Sequence, residues 1–263
     1  MQLRGGIIVV NEVFRKYFGN VTLALTLVIA LYEAFFIKNQ MVQHAENICV
    51  MDSIRLVLAG RNSSLVIILI VVWYMYITKN DYDTMLILRM RNKKNLWKLQ
   101  CKKILKVSFV ITLLIIAFGL VIGMLSTKTW LNWNLQSSYY SSIILPKGSY
   151  LTSNISAAQI ILLAFIFLYF QIAITLCLLV FGYWSVNSYI APLIVVVVVA
   201  IGDAFTPFGP LFYRRFAITL DDWRILGLQL WGKLFILIVI FAVMTYFGTL
   251  IANRKEFIGD EKM

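Results

Sequence analysis

Apolar runs long enough to cross a membrane recur along the chain, and they decide the class of fold before anything else does. Residues 107–125 read VSFVITLLIIAFGLVIGML, and 157–181 and 234–252 likewise lack Asp, Glu, Lys and Arg. About 20 such residues, rising about 1.5 Å each, cross a hydrocarbon core of about 30 Å. Transmembrane strands would instead alternate apolar and polar residues over about 10 positions. The chain is 61% hydrophobic over 263 residues, against roughly 45–50% in soluble domains, and a water-soluble fold could not hide that surface. The sequence therefore predicts one all-α, polytopic membrane domain.

Six spans are expected, at about 18–37, 64–78, 107–125, 157–181, 189–205 and 234–252. Residues 2–17 form an amphipathic pattern, with Val10, Val13, Phe14 and Tyr17 on one side and Asn11, Glu12, Arg15 and Lys16 on the other. They predict a helix lying at the interface, or an extension of the first span. Residues 38–63, which include the sole histidine, His44, and residues 126–156, with Trp130 and Trp133, read as external loops. Residues 182–188 read as a tight turn on the opposite side. Residues 206–232 are broken by Pro207, Gly209 and Pro210 and carry Arg214, Arg215, Asp221, Asp222 and Arg224. They are too polar to span and too apolar for a free loop, so they predict short re-entrant helices before the last span.

Charge sets the expected orientation. Of 24 Lys and Arg, fifteen fall in segments this layout puts inside and nine in those it puts outside, a positive-inside bias with both termini cytoplasmic. The net charge of +12 then reflects contact with membrane lipids, not nucleic acid, for which no module is present. Glu33 is expected near the outer end of the first span, where an acid ordinarily reaches water, with contact to a partner helix or a polar path as the alternative. Gly119 and Gly123 form a GxxxG pattern that permits close helix approach, and Gln171 and Thr175, one turn apart, are expected to bond a neighbouring helix, or else to touch substrate. Cys49, Cys101 and Cys177 are too dispersed for a disulfide or a metal site.

The densest charge is at 79–106, KNDYDTMLILRMRNKKNLWKLQCKKILK, with nine Lys or Arg and two Asp. Asp81 and Asp83 suit the positive end of a helix dipole, Met85, Leu86, Ile87, Leu88 and Met90 offer an apolar surface, and a second, basic helix is expected from about Leu96. The chain has no GxxxxGK[ST] phosphate loop, HExxH or GxSxG motif. An enzyme working at membrane depth would need paired acids, histidines or a nucleophile there. No enzymatic activity is expected of the chain itself, and a transporter so built would borrow its energy.

In this order of elements the chain resembles the permease subunits of ABC-2 type ATP-binding-cassette transporters. The likeness rests on an amphipathic helix before span one, a coupling helix at 81–91 followed by a basic helix at 92–106, a tight turn between spans four and five, and re-entrant pieces before span six. The turn after the coupling helix, NKKN, lacks the proline found in many members. The resemblance implies a dimer of permeases, identical or related, in a bacterial plasma membrane, with cytoplasmic ABC ATPase subunits that bind ATP and Mg on separate chains. It implies no cofactor on this chain. Asp81, Asp83, Met85, Leu86, Leu88, Arg89, Arg91 and Lys94 would be the ATPase-coupling residues, with Met85, Leu86, Leu88 and Arg89 in the ATPase groove and Arg91 and Lys94 orienting the contact. Spans one, two and five would meet the second permease. The cargo would be an amphipathic peptide, lipid or drug moved outward. The alternative is a non-transporting sensor or immunity protein that captures an antimicrobial peptide with its external loops.

Overall fold

The computed structural model describes residues 20–42, 48–78, 93–135, 138–139, 155–186, 188–205, 210–219, 222–223 and 227–254. The predicted interfacial helix at 2–17, most of the predicted coupling segment and the tail after 254 lie outside these residues. Among the described residues the chain forms seven helices and no strand: α1 Asn20–Val42, α2 Val50–Leu58, α3 Gly60–Thr78, α4 Lys93–Ser126, α5 Ala157–Val186, α6 Ile190–Phe205 and α7 Leu228–Arg254. Three stretches are long and apolar enough to cross a membrane, Lys94–Ser126, Ala157–Val186 and Leu228–Ala252. A fourth results if α2 and α3, bent by 63° at their junction, are counted together; α6 is apolar but shorter.

α5 is the central post. Helices α2, α3, α4, α6 and α7 all pack on it, and from Gln171 to Cys177 every side chain is buried. An all-round apolar sequence is what such a position requires. α4 is the second hub, touching α1, α2, α5 and α7. The bundle has two ends. One, the lysine end, gathers the C-terminal ends of α3, α5 and α7 with the starts of α4 and α6. The other, the far end, gathers α2, residues 127–135 and the described residues 210–219 and 222–223.

The largest departure from the sequence reading is α2. Residues 38–63 read as an external loop because Asp52, Arg55 and Arg61 interrupt the apolar pattern. In the structure Val50–Leu58 is a helix with eight buried residues. Asp52 is drawn inside because it has partners: the Cys49 N–H donates to its carboxylate at 2.9 Å, and Trp133 Nε1 donates at 2.9 Å. The GxxxG pair of α4 receives this helix. A Cβ on Gly123 would sit 2.5 Å from Ser53 Oγ, and one on Gly119 would sit 2.9 Å from a methyl of Val57. Only glycine permits that approach. The Ser53 hydroxyl fills the notch, 2.6 Å from Val50 O and 2.7 Å from Gly119 O.

α4 runs unbroken from Lys93, so the basic helix and the third span are one rod of 34 residues, about 51 Å long at 1.5 Å per residue. The turn between α5 and α6 is tighter than predicted, since α5 continues to Val186 and α6 begins at Ile190. Tyr183 and Tyr189 stack across it with centroids 4.2 Å apart. Pro192 lies in the first turn of α6, where its missing N–H costs little, and its ring packs against Gly182. Of the aromatic group at the end of α3, only Tyr76 points outward; Trp73 and Tyr74 are buried.

Candidate functional site

Of the predicted coupling residues, Lys94 lies within the described structure, exposed on the first turn of α4. Asp81, Asp83, Met85, Leu86, Leu88, Arg89 and Arg91 lie outside the described residues. The structure does fix both ends of the segment that holds them. Thr78, where α3 stops, and Lys93, where α4 starts, are at the same end of the bundle.

Each of those two ends is tied to helices further along the chain. On the α3 side, the Tyr189 hydroxyl at the start of α6 donates to Thr78 Oγ1 at 3.3 Å, and Thr78 bonds back to Tyr74 O at 2.8 Å. On the α4 side the tie is Trp97. Its side chain is 1% exposed although its neighbours Lys98 and Leu99 face outward. The indole Nε1 donates to Thr245 O of α7 at 3.0 Å. Its ring meets Trp184, near the end of α5, edge to face at 5.4 Å. Gly248, one turn past Thr245, gives the indole its room: any Cβ there would overlap the ring. The first turn of α4 is thus tied to both α5 and α7. The sequence reading assigned Trp97 to a basic helix and missed this clasp; a large aromatic within a lysine run, and a glycine in an otherwise bulky span, were its signals.

A second polar cluster holds the chain between α6 and α7. Asp203 ends α6 by accepting backbone N–H groups from Leu211 at 2.7 Å, Phe212 at 2.9 Å and Tyr213 at 2.6 Å. Tyr213 and the Thr175 hydroxyl are 3.1 Å apart, and Gln171 Nε2 donates to Phe216 O at 3.0 Å. Gln171 and Thr175 thus bond the segment that leads to α7, where the sequence predicted a neighbouring helix. Residues 210–219 are turns where the sequence predicted short re-entrant helices, with Tyr213, Phe216, Ala217 and Ile218 buried on the bundle and Leu211, Arg214 and Arg215 exposed. Lys233 bridges Asp222 at 2.6 Å and also donates to Ala217 O.

A third cluster closes the far end. The first N–H groups of α2 donate to Thr129 O and Trp130 O at 2.9 and 3.2 Å. Trp133 is buried and packs 6.0 Å from Trp223, and Arg55 lies 5.1 Å over the Tyr139 ring. Trp130, three residues earlier, is 52% exposed. Burial, with the Asp52 carboxylate second, pushes the Cys49 thiol up to about 12, so it is no thiolate nucleophile.

Glu33 differs from the expectation that it would reach water. It lies on the inner stripe of α1 with Ile29 and Ile37, fully buried, and among the described residues neither carboxylate oxygen has a hydrogen-bond partner. All three cysteines carry free thiols. Among the described residues no group of three His, Cys, Asp or Glu gathers as metal ligands would. No family model, curated protein or solved structure matches this chain.

Proposed function

We propose that this chain is the membrane-spanning permease subunit of an ATP-driven exporter, working with a second permease and with ATPase subunits on separate chains. On this reading the helices make six spans with both termini cytoplasmic, and the lysine end faces the cytoplasm. Residues 79–92 dock on the ATPase, with Met85, Leu86, Leu88 and Arg89 in its groove and Arg91 and Lys94 beside it. The observation that supports it best is the tethering of both flanks of that segment, Thr78 to α6 and Trp97 to α5 and α7. A push delivered there acts on α3 and α4 directly and on α5, α6 and α7 through these ties. The cargo class on this reading is amphipathic: a peptide, a lipid or a drug.

The test is the double substitution Leu86→Asp, Leu88→Asp in the reconstituted complex. Loss of cargo-stimulated ATP hydrolysis with normal membrane insertion is expected. Full stimulation in that variant would remove the coupling assignment. A second reading, a sensor or immunity protein that captures an antimicrobial peptide without transport, is favoured by one observation. Trp130 is exposed on a loop that α2 holds in place, as a rigid aromatic anchor would be.

A further inference from the structure

The lysines of α4 have a pattern that the coupling role does not use. Lys94, Lys98, Lys102 and Lys106 are all exposed and recur every fourth residue along one side of a single helix. The opposite side, Leu96, Trp97, Gln100 and Ile104, is buried. No acidic residue occurs anywhere in α4. Among the described residues, no carboxylate pairs with Lys98, Lys102 or Lys106.

The next two turns of the same rod identify the surroundings of this row. Phe109 is 50% exposed and Leu113 49%. Phe109 lies seven residues beyond Lys102, and Leu113 seven beyond Lys106. Seven residues are two turns, about 10 Å along the axis and about 20° out of line. The charged row therefore passes directly into the apolar face of a helix long enough to span a bilayer. A face that is apolar, exposed and at membrane depth meets acyl chains. The lysines in line with it, about two turns below, stand at the level of the headgroups. Lysine stems can lie along the apolar zone while the ammonium reaches the phosphate.

We infer that Lys102 and Lys106, extended by Lys98, form a binding site for the headgroup phosphates of anionic phospholipids in the leaflet at the lysine end. The site needs only that α4 crosses the bilayer, so it stands apart from the exporter reading. It gives the rod a fixed depth at the level where the clasp begins. Lys94, about 18 Å from Lys106 along the axis, lies beyond the headgroups, at the level a soluble protein partner would occupy.

The test uses the full chain alone, purified in mild detergent with equal phosphatidylglycerol and phosphatidylcholine, and counts retained lipids by native mass spectrometry. The wild type is expected to retain phosphatidylglycerol preferentially. Lys102→Gln and Lys106→Gln should each cut that preference roughly fivefold. The double Arg variant should keep it, and all variants should melt with the wild type because these side chains are exposed. Equal retention of the two lipids by the wild type overturns the site. So does a preference untouched in the double Gln variant. Should that variant keep its lipids and, in a separate pull-down from native membranes, lose a protein that the wild type retains, the row belongs to a protein partner and the lipid assignment fails.

Discussion

The two ends of the bundle are held by different chemistry. At the far end, three buried or half-buried carboxylates do the holding. Asp52 gathers Cys49 and Trp133, Asp203 gathers three backbone N–H groups, and Asp222 gathers Lys233 and Thr219. The Gly119–Gly123 notch adds close packing that a methyl group would disrupt. At the lysine end, no carboxylate takes part among the described residues. Trp97, Trp184, Tyr183 and Tyr189 do the work with ring contacts, one indole bond and one bond between hydroxyls. Charge-assisted bonds in a dry site are directional and costly to break. Aromatic pairs contribute about 0.5–1.5 kcal/mol and tolerate several geometries. On the exporter reading, the far end would hold its register while the lysine end keeps contact as it shifts, the asymmetry that a permease driven from one side needs.

Breaking the far end should cost the most. Asp52→Ala strands the Cys49 N–H and Trp133 Nε1 in a buried site, at about 1–3 kcal/mol for each donor. We expect a large fall in thermal stability in detergent; a melting temperature within a degree of wild type would show the carboxylate to be dispensable. Gly123→Ala comes next, with an expected loss of about 1–3 kcal/mol from overpacking against Ser53 and Val50. Serine at position 53 should matter less than the glycine, and Ser53→Ala in the Gly123→Ala background should recover part of the loss.

The lysine end should respond in function more than in stability. Trp97→Phe keeps a ring against Trp184 but removes the bond to Thr245, a loss of about 0.5–1.5 kcal/mol. We expect a near-normal melt with lowered stimulation of the partner ATPase. Gly248→Ala should produce the same uncoupling from the α7 side, by displacing the indole without substituting any residue of α4. If both variants couple normally, the clasp is packing alone. The smallest effect is expected at Trp130, whose exposed ring should change stability by less than about 0.5 kcal/mol when replaced by Ala. A loss of peptide protection in Trp130→Ala that leaves ATPase coupling intact would favour the sensor reading over the exporter.

The helical class and three of the six expected spans, those of α4, α5 and α7, were legible because lipid imposes one simple rule, an unbroken apolar stretch of sufficient length. The tight turn before α6 was legible for the same reason, as a gap too short for anything else. α2 was not. A nine-residue helix carrying Asp and Arg matches a loop by composition, and its burial depends on Trp133, a partner 81 positions away. Glu33 was misread in the same direction, since an acid near a span end ordinarily reaches water and this one is shut between helices. The Trp97 clasp was hidden because Thr245 and Gly248 sit some 150 residues later and carry no local signal. Long-range pairs of this kind arise from how helices pack, and periodicity within one segment does not encode them.

The central claim is that a separate ATPase works on the lysine end. The most direct measurement is purification of the tagged chain from its native membranes in mild detergent, with stoichiometric partners identified by mass spectrometry. A protein carrying a phosphate loop should come down with the wild type and be lost in Leu86→Asp, Leu88→Asp. A second permease in the same sample would distinguish a pair of related chains from a homodimer. A wild-type chain that purifies alone, under conditions that keep other membrane complexes together, would contradict the exporter and leave the sensor as the better account.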